Sequence, residues 1–152
     1  MKRTFLTFVS LFLIWTATIV CAQSSSTVSN SPKMKFLIHV TQSTENPTVA
    51  ALAFLVAKTA LEEGHSVSIF LAGDAVKLLQ EPTLGTLAGL GTGKLREHYD
   101  AIVAHHGRFY LSGNSSKARG VTEEDLKGKP AEFALPTVLI RLATESDRVF
   151  TY

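Results

Sequence analysis

The stretch Ser112-Gly113-Asn114-Ser115-Ser116, with Arg119 close behind, carries the residue types best suited to chemistry in this sequence. Gly113 permits close approach to the backbone, and the amides of Asn114 to Ser116 are placed to point outward from a helix start. Arg119 can add charge-assisted hydrogen bonds, and the set suits a small anion. The same types also serve as caps, and an arginine as half of an ion pair, so a purely architectural role competes. A Ser–His–Asp triad drawn from Ser112, His39 or His106, and Asp147 lacks the strained G-x-S-x-G turn that exposes a nucleophile. His98 and His105 lie seven apart on one helical face, with Glu97 or Asp100 conceivable beside them. His106 faces elsewhere, so two ligands converge at most, and a solvated pair is the expectation rather than a metal centre. Gly89-Leu90-Gly91-Thr92-Gly93-Lys94 approaches a phosphate loop. It has Ala88 at the first required glycine and Leu95 at the required hydroxyl, with no preceding strand, so a nucleotide triphosphate site is rejected.

Counting narrows the classes further. The chain has 152 residues, 45% hydrophobic and 18% charged, which is one domain with enough apolar surface to exclude a disordered regulator. Its single cysteine, Cys21, excludes an internal disulfide, a multi-cysteine zinc site and an iron–sulfur cluster.

The elements that must position these residues begin after a leader. Lys2 and Arg3 precede an uncharged apolar run from Thr4 to Val20, and Val20-Cys21-Ala22 offers compact residues to a signal peptidase. Residues 1–22 therefore read as a signal peptide cleaved after Ala22, with a periplasmic or secreted product. An uncleaved anchor is the competing reading, because the run is near the lower limit of about 17 residues for spanning a bilayer. Residues 23–33 form a Ser-rich linker too polar to order itself, and residues 34–152 are the domain. The formal charge of +2 sits on Lys2 and Arg3, so the mature chain carries 13 basic and 13 acidic residues. A nucleic-acid partner has no electrostatic support, and no stable membrane insertion is expected after processing.

Within the domain, Lys35 to Val40 reads as a strand covered on both faces. Asn46 as N-cap and Pro47 at the first helical position open a helix that runs to Glu63 and stops at Gly64. Its body, Val49 to Ala57, is apolar almost all round, which demands burial on more than one side, by a second helix or another subunit. His65 to Leu71 gives the second strand, and Ala72-Gly73-Asp74 turns into a short helix ending at Leu79. Gln80 to Gly93 reads as loops. Lys94 to His106 is a helix ended by Gly107, Arg108 to Ser112 a third strand, and Ser115 to Arg119 a helical turn closed by Gly120. Thr122 and Asp125 form a capping box. Pro136 opens a last helix with Leu135, Val138, Leu139 and Leu142 on one face, and Arg148 to Tyr152 closes the chain as a strand. Strands alternating with helices predict a small doubly wound, mainly parallel α/β sheet with helices on both faces, a three-layer architecture of the flavodoxin or Rossmann kind.

The pattern KFLIHVTQSTENPTVAALAFLVAKTALEEGHSVSIFLAGDAVKLL, then GRFYLSGNSSKARGV, then ESDRVFTY resembles the DsrE/DsrF-like sulfur-relay family across nearly all of Lys35 to Tyr152. The resemblance implies a domain that assembles into homo-oligomers or hetero-oligomers with a related subunit, and in cytoplasmic members a cysteine that carries persulfide sulfur. Related chains end the third strand in a segment of the type CGxC, and both cysteine positions are serine here, Ser112 and Ser115. A hydroxyl forms no persulfide and ionises far less readily than a thiol with a pKa of about 8.5. With Cys21 removed the mature chain has no thiol.

Ligands in open parallel sheets bind outside the carboxyl ends of the strands. The candidate site is accordingly the meeting of three loops, bringing Thr41, Gly73 and Asp74 to Ser112, Gly113, Asn114, Ser115, Ser116 and Arg119. A non-enzymatic small-ligand or oligomeric accessory module without cofactor or metal is the expectation. An enzyme of unknown chemistry in the same crevice is the alternative.

Overall fold

The computed structural model describes residues 32–152. The expected signal peptide and all but the end of the linker lie outside the described residues. The chain runs β1 (Lys35–Val40), α1 (Pro47–Glu62), β2 (Ser66–Leu71), a 3-10 turn (Gly73–Leu79), α2 (Glu81–Thr86), β3 (Ala88–Gly89), β4 (Gly93–Lys94), α3 (Leu95–Ala104), β5 (Arg108–Ser112), α4 (Gly113–Arg119), α5 (Glu123–Leu126), β6 (Ala131–Ala134), α6 (Pro136–Glu145) and β7 (Arg148–Thr151).

Five strands pair in parallel in the order β6-β5-β2-β1-β7. From β1 to β6 the crossovers step in one direction, and right-handed connections then place their helices on one face. The last crossover returns the whole width of the sheet, which puts α6 on the other face. Side-chain alternation matches this division. Ile38, Val40, Ile69, Leu71, Phe109 and Leu111 pack with Phe54 and Leu61 of α1 and Tyr99 and Ile102 of α3. Leu37, Phe70 and Ala134 instead meet Leu142 of α6, with Val138 and Leu139 packed against them. Each central strand therefore buries both faces, and its apolar composition follows.

The two-sided burial demanded by α1 is met within the chain. Its small residues Ala50, Ala51, Ala53 and Ala57 are fully buried, and α3 and the β3–β4 hairpin pack alongside the sheet. Pro47 occupies the first turn, but the Asn46 side chain makes no capping bond; the Asn46 carbonyl accepts from Ala50 N at 3.1 Å instead.

Several expectations are corrected. Gln80 to Gly93 is not loop throughout: it holds α2 and the antiparallel β3–β4 pair. Pro82 sits in the first turn of α2, where its missing N–H costs nothing. The strand β6 was not anticipated, and Leu135 belongs to no buried helical face, lying before α6 and 67% exposed. Helix α3 ends at Ala104, and His106 takes the left-handed position (φ 63°) that ends it, with Gly107 following. Glycine suits 107 for space, since a Cβ would collide with Ile102 Cγ2 and lie 3.1 Å from the Ile102 carbonyl oxygen. Helix α4 starts at Gly113, two residues earlier than the spacing suggests.

Candidate functional site

The loops after β1, β2 and β5 converge at the carboxyl end of the sheet. The Gly73 amide donates to Ser115 Oγ at 3.1 Å, and the Thr41 carbonyl oxygen lies 3.5 Å from where a Cβ on Gly73 would stand. Gly73 adopts φ 57°, a conformation that glycine enters without steric cost. Ser112 caps α4, its Oγ accepting from the Ser115 amide at 3.4 Å. The Ser115 hydroxyl thus ties the second loop to the third, the Ser112 hydroxyl caps the helix within the third, and Thr41 is held separately: its amide and Oγ1 both donate to the Tyr152 carbonyl, at 2.8 and 3.0 Å.

Arg119 does not reach out of the crevice. Its Nε donates to Asp74 Oδ1 at 2.8 Å and its Nη1 to the Ser115 carbonyl at 3.5 Å. Lys77 Nζ stands 3.1 Å from the same Asp74 oxygen. The Arg119 and Lys77 hydrogen bonds hold the Asp74 carboxyl at about 2, well below its ordinary 3.8. The folded-state value is depressed, so this pairing stabilises the protein fully above pH of about 4 and is lost as pH falls towards 2. Asp74→Asn should flatten that acid limb of the stability curve in urea titrations at pH 2 to 5, while the parent loses stability there. An identical limb in both proteins would refute the assignment. The Asp74 side chain is 43% exposed, so solvent screening keeps the effect small.

The remaining site residues separate by environment. Asn114 is exposed, Gly113 lies against the β6 end with the Ala134 carbonyl 3.7 Å from its would-be Cβ, and Ser116 is 1% exposed. The Ser116 hydroxyl has no partner among the described residues, and an apolar groove of about 410 Å³ lined by Ser116, Val121 and Phe133 runs beside α4. Sequence reasoning named Ser116 but missed the groove, because Phe133 stands on the unanticipated β6. It also missed Lys77, whose i,i+3 spacing from Asp74 was available as a signal.

The other candidate chemistries come apart. Asp147, just before β7, accepts from the Lys35 amide at 2.8 Å at the amino end of the sheet, whereas Ser112 ends β5 at the carboxyl end. His39 stands on β1 beside Phe70, its Nε2 buried and without a partner among the described residues, and burial lowers its pKa. His98 is not solvated: it is 7% exposed, and its Nε2 lies 2.6 Å from the Thr92 carbonyl, pinning the β3–β4 hairpin. Gly89 to Lys94 forms that hairpin rather than a phosphate cradle, with Lys94 3.6 Å from Glu97. Among the described residues no group of three His, Cys, Asp or Glu side chains could hold a metal.

A five-stranded parallel sheet with loops meeting over its carboxyl end defines a small α/β domain of the DsrE-like kind. The chain belongs to the DsrE/DsrF-like family, whose model matches residues 34–152. Its fold is similar to that of the ychN protein from E. coli, with a TM-score of 0.62 at 15% identity over 80% of this chain and 100% of that one. It is also similar to a conserved protein of unknown function, BT1422, from Bacteroides thetaiotaomicron, with a TM-score of 0.58 at 12% identity over 78% and 94% of the two chains. Among curated proteins no sequence matches.

Proposed function

We propose that this protein is an exported DsrE/DsrF-like domain that works without thiol chemistry, as a non-enzymatic ligand-binding or oligomeric accessory module beside a sulfur or redox system. One observation carries the reading. Ser112 and Ser115 stand where the family resemblance implies cysteines, and both hydroxyls are engaged in holding backbone, as acceptors from the Ser115 and Gly73 amides. The loops of the crevice are tied by the Gly73–Ser115 hydrogen bond, and Asp74 holds both Arg119 and Lys77 there. Assembly is supported by β7, a sheet edge exposed at every position with Val149 and Phe150 on it, and by the exposed Ile140 of α6. Among the described residues no helix is long and apolar enough to cross a membrane.

The test is mass spectrometry on protein purified from its own host and then treated with inorganic polysulfide. The expected result is a chain beginning at Gln23, multimeric under native conditions, without sulfur adducts. Ser112→Cys should acquire adducts that peptide mapping places at position 112. Sulfur adducts on residues 34–152 of the parent chain, or a monomer only, would overturn the proposal.

A further inference from the structure

Strand β7 forms one margin of the sheet, and its outer edge pairs with nothing among the described residues. Which backbone groups lie on that edge follows from the bonds to β1. Tyr152 donates to the His39 carbonyl and accepts from the Thr41 amide, at 2.9 and 2.8 Å. Backbone groups alternate sides along a strand, so those of Arg148 and Phe150 also face β1. The N–H and C=O groups of Val149 and Thr151 then point to the open edge.

The register sorts the side chains as well. Phe150 is level with Ile38 and Val149 with Leu37, so Arg148, Phe150 and Tyr152 share the α1 face, and Val149 and Thr151 share the α6 face. Phe150 stacks on Phe36 at 5.8 Å yet stays 40% exposed, and Val149 stays 47% exposed. Beside the two rings an apolar groove of about 360 Å³ continues to Leu55, Val56 and Ala60 of α1. Edges that must stay single are commonly blunted by lysine, proline, an inward charge or a bulge. The opposite margin has Pro130 before β6 and Glu132 within it. Val149-Phe150-Thr151 carries none of these devices and keeps an unbroken register with β1.

We infer that β7 pairs antiparallel with β7 of a second copy, about a two-fold axis at Phe150 perpendicular to the sheet. The inference rests on the oligomeric reading above and names its surface. Phe150 is the centre of residues 148–152, so an axis there opposes all five. Val149 exchanges both backbone bonds with Thr151 of the second copy, and the two Phe150 rings meet on the α1 face and remove each other from water. An axis at Val149 would instead oppose Thr151 to Asp147, outside the strand.

Charge favours a second copy as the occupant. Arg148 is the one charged residue among these five, and it falls opposite Tyr152 of the other copy, where a guanidinium beside an aromatic ring is attracted, rather than opposite its own counterpart. Residues 23–152 carry 13 basic and 13 acidic side chains, so two copies approach without net repulsion.

Single cysteines introduced into the full chain carrying Cys21→Ser test the register. Directly opposed positions without mutual hydrogen bonds stand about 4.5 Å apart at Cα, inside the disulfide range of about 4.4–6.8 Å, whereas two Val149 positions would stand about 9 Å apart. Under mild oxidation Phe150→Cys should give a covalent dimer that peptide mapping links 150 to 150, and Val149→Cys should not. Val149→Lys puts a charge on the shared edge and should reduce the native mass to about half, with the far-ultraviolet circular dichroism of the fold kept. A multimeric parent whose Phe150→Cys form stays unlinked, preferential linkage through Val149→Cys, or an unchanged mass for Val149→Lys would overturn the interface and leave the oligomeric reading standing. A monomeric parent would overturn both.

Discussion

Phe54→Ala should cost about 3–5 kcal/mol, a large part of the roughly 5–15 kcal/mol that holds a domain of this kind together. Phe54 is fully buried in α1 and packs 5.6 Å, centroid to centroid, from Phe109 of β5, which in turn lies 5.3 Å from Tyr99 of α3. Removing the ring leaves a hole where α1, the sheet and α3 meet. The neighbours are poorly able to fill it, since the alanines of α1 offer no side chain long enough to move in. A chemical-denaturation midpoint reads this directly, and a loss below about 1 kcal/mol would show that the three layers do not depend on this ring.

The second large effect is expected at a residue that no chemistry requires. A Cβ on Gly89 would stand 2.8 Å from Thr48 Cα and 3.0 Å from Ala51 Cβ, both on α1, besides colliding with the Thr92 hydroxyl. The hydroxyl can rotate away, but a helix backbone cannot. Gly89→Ala must therefore push the β3–β4 hairpin off α1, at a cost of about 1–3 kcal/mol. The hairpin carries the Thr92 carbonyl that meets His98 Nε2, so hydrogen exchange at residues 88–94 should rise with the global loss. Unchanged stability would mean that the hairpin is not packed as tightly as the geometry requires.

These two positions mark how far the sequence could be read. Phe54 lies in a helix whose start, apolar body and stop are local signals, and β1 and β5 have the boundaries that their apolar runs predict. Gly89 lies in a stretch where glycines and a proline suggest only loop. Strands of two residues have no periodicity to detect, and what fixes them is packing against α1. Strand β6 escaped for a related reason: Ala131 to Ala134 contains one aromatic and no β-branched residue, and pairing with β5 defines it. At the crevice, the residues that meet were legible, but the neutralisation of Arg119 was not. Its partner is 45 positions away, and which of the carboxylates would reach it is a tertiary fact. The same limit explains His98, which is buried by a hairpin that sequence periodicity does not reveal. The proposal of a role without thiol chemistry needed no tertiary information, because it is argued from the residue types at positions 112 and 115.

The strand order also has a consequence for how the domain comes to be folded. Strand β1 receives one neighbour, β2, from sequence close at hand, and the other, β7, from across the whole chain, with the Lys35 amide reaching Asp147 over 112 positions. As the polypeptide lengthens, β1, α1 and β2 can associate early, but the second edge of β1 stays open until Arg148–Thr151 arrive. Closing so long a loop slows folding more than it weakens the finished product. A partly synthesised chain therefore carries an unpaired apolar edge at β1, one strand in from the margin of its future sheet, and only β7 converts that template for mispairing into an interior.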